Sequence, residues 1–204
     1  MRGFDFSAAM DRLCRHIVRQ TPAFAHIRME QVAVGFAQAR RRVSHGLQAK
    51  LVPLRFANGA LVQIRHGQRW AMRRMFSGPH ELLYLLTFYL PRFLDQPLDE
   101  KFVTIFHELY HISPRFDGDI RRHDGRYHVH SARQSAYDQL MAELARAYRA
   151  THPPRSLWGF LECSFDELQQ RHGQVLGRRL PMPKLIRLPS SPQTFPPHPR
   201  FYEA

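Results

Sequence analysis

His107, Glu108 and His111 stand in the order H-E-x-x-H, spelled His107-Glu108-Leu109-Tyr110-His111. On a helix, positions four apart share one face and lie one turn from each other. Two imidazoles so placed grip one zinc ion. The glutamate between them lies close to the open side of that metal, where it takes a proton from bound water. The chemistry this trio supports is metal-assisted hydrolysis. Zn2+ is the expected cofactor, His107 and His111 are its ligands, and Glu108 is the general base.

A helix has to carry the trio, and the flanking residues predict one. Asp95-Gln96-Pro97-Leu98-Asp99-Glu100 reads as a start, since proline suits the first helical position and acids in the first turn favour the positive end of the dipole. Apolar residues then come thickly through Phe102, Val103, Ile105, Phe106, Leu109, Tyr110 and Ile112. Pro114 is expected to end the helix at about Ser113, because a residue before proline avoids helical angles. Glu108 is thus an acid within an apolar run, which is unusual unless the acid is paired or working.

The stretch from Thr104 to Ile112 resembles the zincin metallopeptidase signature, in which uncharged residues surround H-E-x-x-H; Ser113 departs from the hydrophobic residue usual there. The wider pattern, Tyr84 to Phe93 followed by Phe106 to Ile112, resembles phage and bacterial metallopeptidase-like proteins, in which an apolar strand precedes the active helix. The likeness spans roughly residues 30 to 150 and is specific only around 104–113. It implies a zinc-dependent peptidase acting on a protein or peptide, and it names no particular substrate.

Catalytic zinc usually takes three protein ligands and a water, so residues after His111 must supply one more. The metzincin continuation would need glycine where Pro114 stands, and puts Asp117 at its last position. The gluzincin pattern would draw on Glu143, whose neighbours lack that signature. Histidines 123, 128 and 130 are the better candidates. Asp124-Gly125 signals a two-residue hairpin, after which Arg126, His128 and His130 share one strand face. Ser131 then reads as the cap of an amphipathic helix over 132–151, with Ala136, Tyr137, Leu140, Met141, Leu144 and Tyr148 at apolar spacing. A histidine just before such a helix is similar to the arrangement in SprT-like zincins. On that resemblance His130 ranks first, His123 second and His128 third. Tyr127 or Tyr137 is a candidate oxyanion donor, Tyr137 having core packing as its plainer role. Asp117, Asp119, Asp124 and Asp138 are candidate partners for the ligand rings.

Composition narrows the class. The chain has 204 residues with 44% hydrophobic content, enough for one domain with a useful core. The longest apolar run, Leu82 to Leu90, is too short to cross a bilayer, and no signal peptide is evident, so a cytoplasmic site and no membrane partner are expected. Cys14 and Cys163 suggest no disulfide framework and exclude a four-cysteine zinc ribbon. The formal net charge of +13 comes with clusters at Arg40-Arg41-Arg42, Arg69 with Arg73-Arg74, Arg121-Arg122 with Arg126, and Arg178-Arg179. Such a field favours polyanions. The alternative to a peptidase is therefore a basic, nucleic-acid-associated binding protein with a structural zinc or an inactive zincin site.

The predicted fold class is α+β and zincin-like. A mixed or antiparallel sheet precedes the active helix, followed by the histidine-rich hairpin and the long helix. Phe6–Gln20 reads as an amphipathic helix capped by Ser7, with Met10, Leu13, Cys14 and Val18 on one face. Strands are expected at 31–36, 50–56, 61–65, 69–76 and 82–91, with His66-Gly67-Gln68 joining the third and fourth. A helix or two is expected between Leu157 and Val175, with Trp158 and Phe160 as core contacts. Residues 1–180 form the expected domain, and 181–204, rich in proline, an extended or disordered tail.

Overall fold

A computed structural model describes residues 3–39, 46–122 and 132–189. The chain is α+β. In order it runs β1 (Phe4–Asp5), α1 (Phe6–Gln20), β2 (Val32–Gln38), β3 (Ala49–Pro53), β4 (Val62–Arg65), β5 (Gln68–Met72), β6 (Phe76–Ser77), β7 (His80–Glu81), β8 (Tyr84–Leu90), α2 (Leu98–Tyr110), α3 (Ala132–Ala150), α4 (Arg155–Trp158), α5 (Phe165–His172), β9 (Val175–Leu176) and β10 (Leu185–Arg187).

The sheet beneath the H-E-x-x-H helix has the order β2-β8-β3. β8 lies in the middle, parallel to β2 and antiparallel to β3, with Val32 opposite Tyr84 and Leu51 opposite Leu86. Its apolar sequence follows from that place, because a central strand covered on both faces needs no polar alternation. Tyr84, Leu85, Leu86, Phe88 and Leu90 are all nearly inaccessible. One face packs on α1 and α2 through a cluster that includes Phe6, Met10, Phe88, Phe102 and Phe106. The other covers a smaller cluster of Ala33, Leu54, Leu82 and Leu85. A second sheet, β10-β5-β4, supplies Met72 to that smaller cluster. His66 and Gly67 both take positive φ, 49° and 72°, in the turn between β4 and β5. That is the backbone a two-residue hairpin demands.

Several local expectations change. Helix α1 spans the predicted residues, but Asp5 caps it, accepting the Ala8 N–H at 2.9 Å. Ser7 lies inside the helix, buried, and its Oγ accepts the Arg178 N–H instead. Helix α2 stops at Tyr110, about a turn before Pro114, with His111 as its C-cap. The chain beyond pairs with itself: Ile112 bridges Ile120, and the Arg121 N–H reaches the His111 carbonyl at 2.7 Å. That return strand satisfies a terminal carbonyl the helix leaves open. On α3, Met141, Ala145 and Tyr148 are buried, whereas Ala136 and Leu140 are exposed. The predicted stripe is therefore rotated toward Ala145. Trp158 and Phe160 pack against the main core as expected. Within residues 181–189, β10 is extended and hydrogen-bonded to β5. No helix of the described residues is long and apolar enough to cross a membrane.

Candidate metal-binding and hydrolytic site

Helix α2 buries Phe102, Ile105, Phe106 and Leu109 completely, and each such side chain contributes roughly 1.5–3 kcal/mol. Lys101 fixes the helix from another side. Its buried ammonium donates to the carbonyls of Leu161 and Cys163 at 2.7 and 3.0 Å. With these contacts set, the orientation of the next turn is determined, and His107 and His111 come to the same side.

Their rings converge. The two Nε2 atoms are 2.9 Å apart, with ring centroids at 4.6 Å. Two nitrogens bound to one tetrahedral zinc at about 2.05 Å sit about 3.3 Å from each other, so the pair is close to chelating separation. Burial lowers the His107 pKa below the ordinary imidazole value, with the nearby Asp138 carboxylate acting against it. A neutral imidazole is the form that ligates metal.

Glu108 faces β3. Its Oε2 accepts the Leu51 N–H at 2.6 Å, and the residue is 8% exposed. β3 is an edge strand. The Tyr89 N–H bonds the Gln48 carbonyl and the Leu54 N–H bonds the Leu83 carbonyl, so in this antiparallel ladder the even-numbered residues of β3 face β8. The backbone groups of Ala49, Leu51 and Pro53 consequently face outward, on the side where Glu108 lies. Burial raises the Glu108 carboxyl to about 7, with the Leu51 N–H and the Lys50 ammonium opposing the shift. A carboxyl near neutrality exchanges protons readily at the working pH of most enzymes.

Tyr137 of α3 is where these groups meet. Its ring stands perpendicular to His107 at 5.0 Å and roughly parallel to His111 at 6.1 Å. It also feels the Glu108 charge, though burial is the main reason its phenol pKa is raised. The hydroxyl therefore keeps its proton across physiological pH and remains a donor.

Arg121 closes the helix end. Its Nε donates to the Tyr110 carbonyl at 2.8 Å and its guanidinium lies 4.0 Å above the Tyr110 ring. His26 packs nearby, against the Ile112 backbone, and its Nε2 is buried without a hydrogen-bond partner among the described residues. Burial and the Arg121 charge lower its pKa. In the sequence Arg121 is signalled only as a member of a basic cluster and His26 not at all, because they approach α2 on a return strand or from residues far from the motif.

Of the candidate carboxylates, Asp138 lies within electrostatic reach of His107. Asp119 is committed to its own loop, accepting the Asn58 and Ile120 N–H groups and pairing with Arg122. Asp117 pairs with Arg115 and accepts the Asp119 N–H. The loop bends at Gly118, whose φ of 83° and contact with the Arg55 side chain leave no room for a Cβ. Asp124, Tyr127 and all three third-ligand candidates, His123, His128 and His130, lie outside the described residues. Among the described residues no group of three or more His, Cys, Asp or Glu forms a metal cluster. Compared with known proteins, the chain matches no family model, no curated protein and no solved structure.

Proposed function

We propose that this chain is a zinc-dependent peptidase of zincin type. The observation that carries the reading is the 2.9 Å approach of the His107 and His111 Nε2 atoms beside a buried Glu108. The donor set fits zinc: two imidazoles close to chelating separation, with burial favouring the neutral form at His107, on the side of α2 that faces Tyr137. His130 is the proposed third ligand, with His123 and His128 as alternatives. Zinc bound there polarises a peptide carbonyl and lowers the pKa of water to about 7.

The protein's own groups do the rest. Glu108 takes a proton from the attacking water and passes it to the leaving amine, a role suited to a carboxyl near neutrality. The Tyr137 hydroxyl, which lies 3.5 Å from the His107 carbonyl, would turn from it to donate to the developing oxyanion. The outward edge of β3 offers the carbonyls of Ala49, Leu51 and Pro53 and the Ala49 N–H to an extended peptide adding as a further strand, the Leu51 N–H being held by Glu108. That edge also favours a peptide over a small ester as substrate.

Zinc content and casein hydrolysis of the wild type and Glu108→Gln test this directly. The expected result is full zinc retention with hydrolysis reduced at least 10³-fold. Equal and absent hydrolysis in both proteins, with zinc bound, would leave a structural metal. Single alanine replacements at His123, His128 and His130 identify the third ligand, and undiminished zinc in the His130 variant removes the first choice.

A further inference from the structure

The positive charge is not spread evenly along the sequence. From Gln31 to His80 the chain has nine lysines and arginines and no acid, and from Leu168 to Arg200 it has six and none. Everything else carries 15 cations against 17 acids. The two acid-free segments, far apart in sequence, meet in one small sheet: β4 and β5 come from the first and β10 from the second. The whole net charge of the protein thus originates in the segments that build this sheet.

Its side chains are set out by register. Ile64 lies opposite Arg69, and Ile186 opposite Ala71, while the Arg73 N–H bonds the Lys184 carbonyl. One face therefore presents Arg69, Arg73 and Lys184 around Ile64 and Ile186, the last two 69% and 45% exposed. The opposite face carries Arg65 and Arg187, both exposed, with half-buried Trp70 directly across from Arg187. Glu81 pairs with both Arg55 and Arg74 next to the sheet. None of the five cations on the sheet has an acidic partner among the described residues.

We propose that the β10-β5-β4 sheet is a docking surface for a single-stranded nucleic acid. Charge complementarity selects a polyanion, and arginine's planar fork matches a phosphate diester. The face that carries Met72 is partly covered by the core, but its Arg65 and Arg187 stay exposed, as Arg73 and Lys184 do on the other face; a flexible strand can meet cations on both sides, whereas a flat anionic bilayer can touch only one face. The exposed isoleucines and the Trp70 ring offer surfaces to unstacked bases, which a duplex keeps hidden. This surface is independent of the hydrolytic reading.

The test is fluorescence anisotropy of a labelled 30-nucleotide oligothymidine with the full chain, titrated over 50–300 mM salt. Two triple variants are compared after confirming equal melting temperatures: R69A/R73A/K184A on the sheet, and R12A/R19A/R146A, charge-matched and exposed on α1 and α3. The sheet variant is expected to bind at least tenfold more weakly, with the slope of log affinity on log salt reduced by about 2. The control variant is expected to change less than threefold. Equal losses in the two variants, no binding by the wild type at 50 mM salt, preference for the duplex, or binding only to phosphatidylserine vesicles would each overturn the proposal.

Discussion

At neutral pH the Glu108 carboxyl stands in the middle of its own titration, since burial raises it from 4.5 to about 7. The sign of the stability effect follows. Between about pH 4.5 and pH 7 the unfolded chain releases this proton while the folded chain keeps it, so unfolding free energy falls as pH rises. The loss from this group is roughly 3 kcal/mol over that window. Glu108→Gln does not titrate. In metal-free protein the melting temperature of that variant should therefore gain on the wild type between pH 5 and pH 8, and a pH-independent difference would mean that Glu108 is not buried as described. Tyr137 makes a separate prediction at the same scale. On the hydrolytic reading, Tyr137→Phe lowers kcat about 10²-fold with zinc content unchanged. An unaltered kcat would return Tyr137 to packing alone.

Helix α2 is held by more than its apolar face. Lys101 reaches out of the helix and donates to two carbonyls of the 161–163 segment. Lys101→Met keeps the aliphatic length but removes both donors. The expected cost is about 1–3 kcal/mol, read from the urea midpoint, since buried carbonyls lose their partners. A midpoint unchanged within error would show those carbonyls to be hydrated. The helix itself was legible from Pro97, the acids of its first turn and its apolar spacing. Its end was not, because the return strand through Ile120 and Arg121 competes with further helix, and that pairing has no local signal. The same reason applies at α1, where Asp5 and Ser7 are both competent caps. The structure gives the cap to Asp5 because Ser7 is drawn to the Arg178 N–H, 171 residues away.

Across the whole molecule, the segment after Leu180 is tied back to residues 69–73 through β10. Removing residues 181–204 should expose the β5 edge and leave a two-stranded hairpin of marginal stability. Amide exchange should quicken at Arg73, whose N–H bonds the Lys184 carbonyl, more than at Trp70, which faces β4. Equal protection at Arg73 before and after truncation would mean that β10 adds nothing to the sheet. The sheet's stability also bears on the nucleic-acid surface, since Lys184 and Arg187 leave with β10.

The sequence by itself determined that His107, Glu108 and His111 share a helix at four-residue spacing, the apolar strand before it, most element spans and the α+β class. These depend on periodicity, capping residues and a four-residue spacing, which are local properties of a chain. Tertiary structure decided which backbone N–H holds Glu108, that Tyr137 joins both histidines, that Arg121 and His26 gather at the helix end, and that two acid-free segments form one sheet. Each of those is a pairing across many residues, selected by packing and by the free edge of a strand. Burial also sets the proton affinity of Glu108, and burial is a property of the fold.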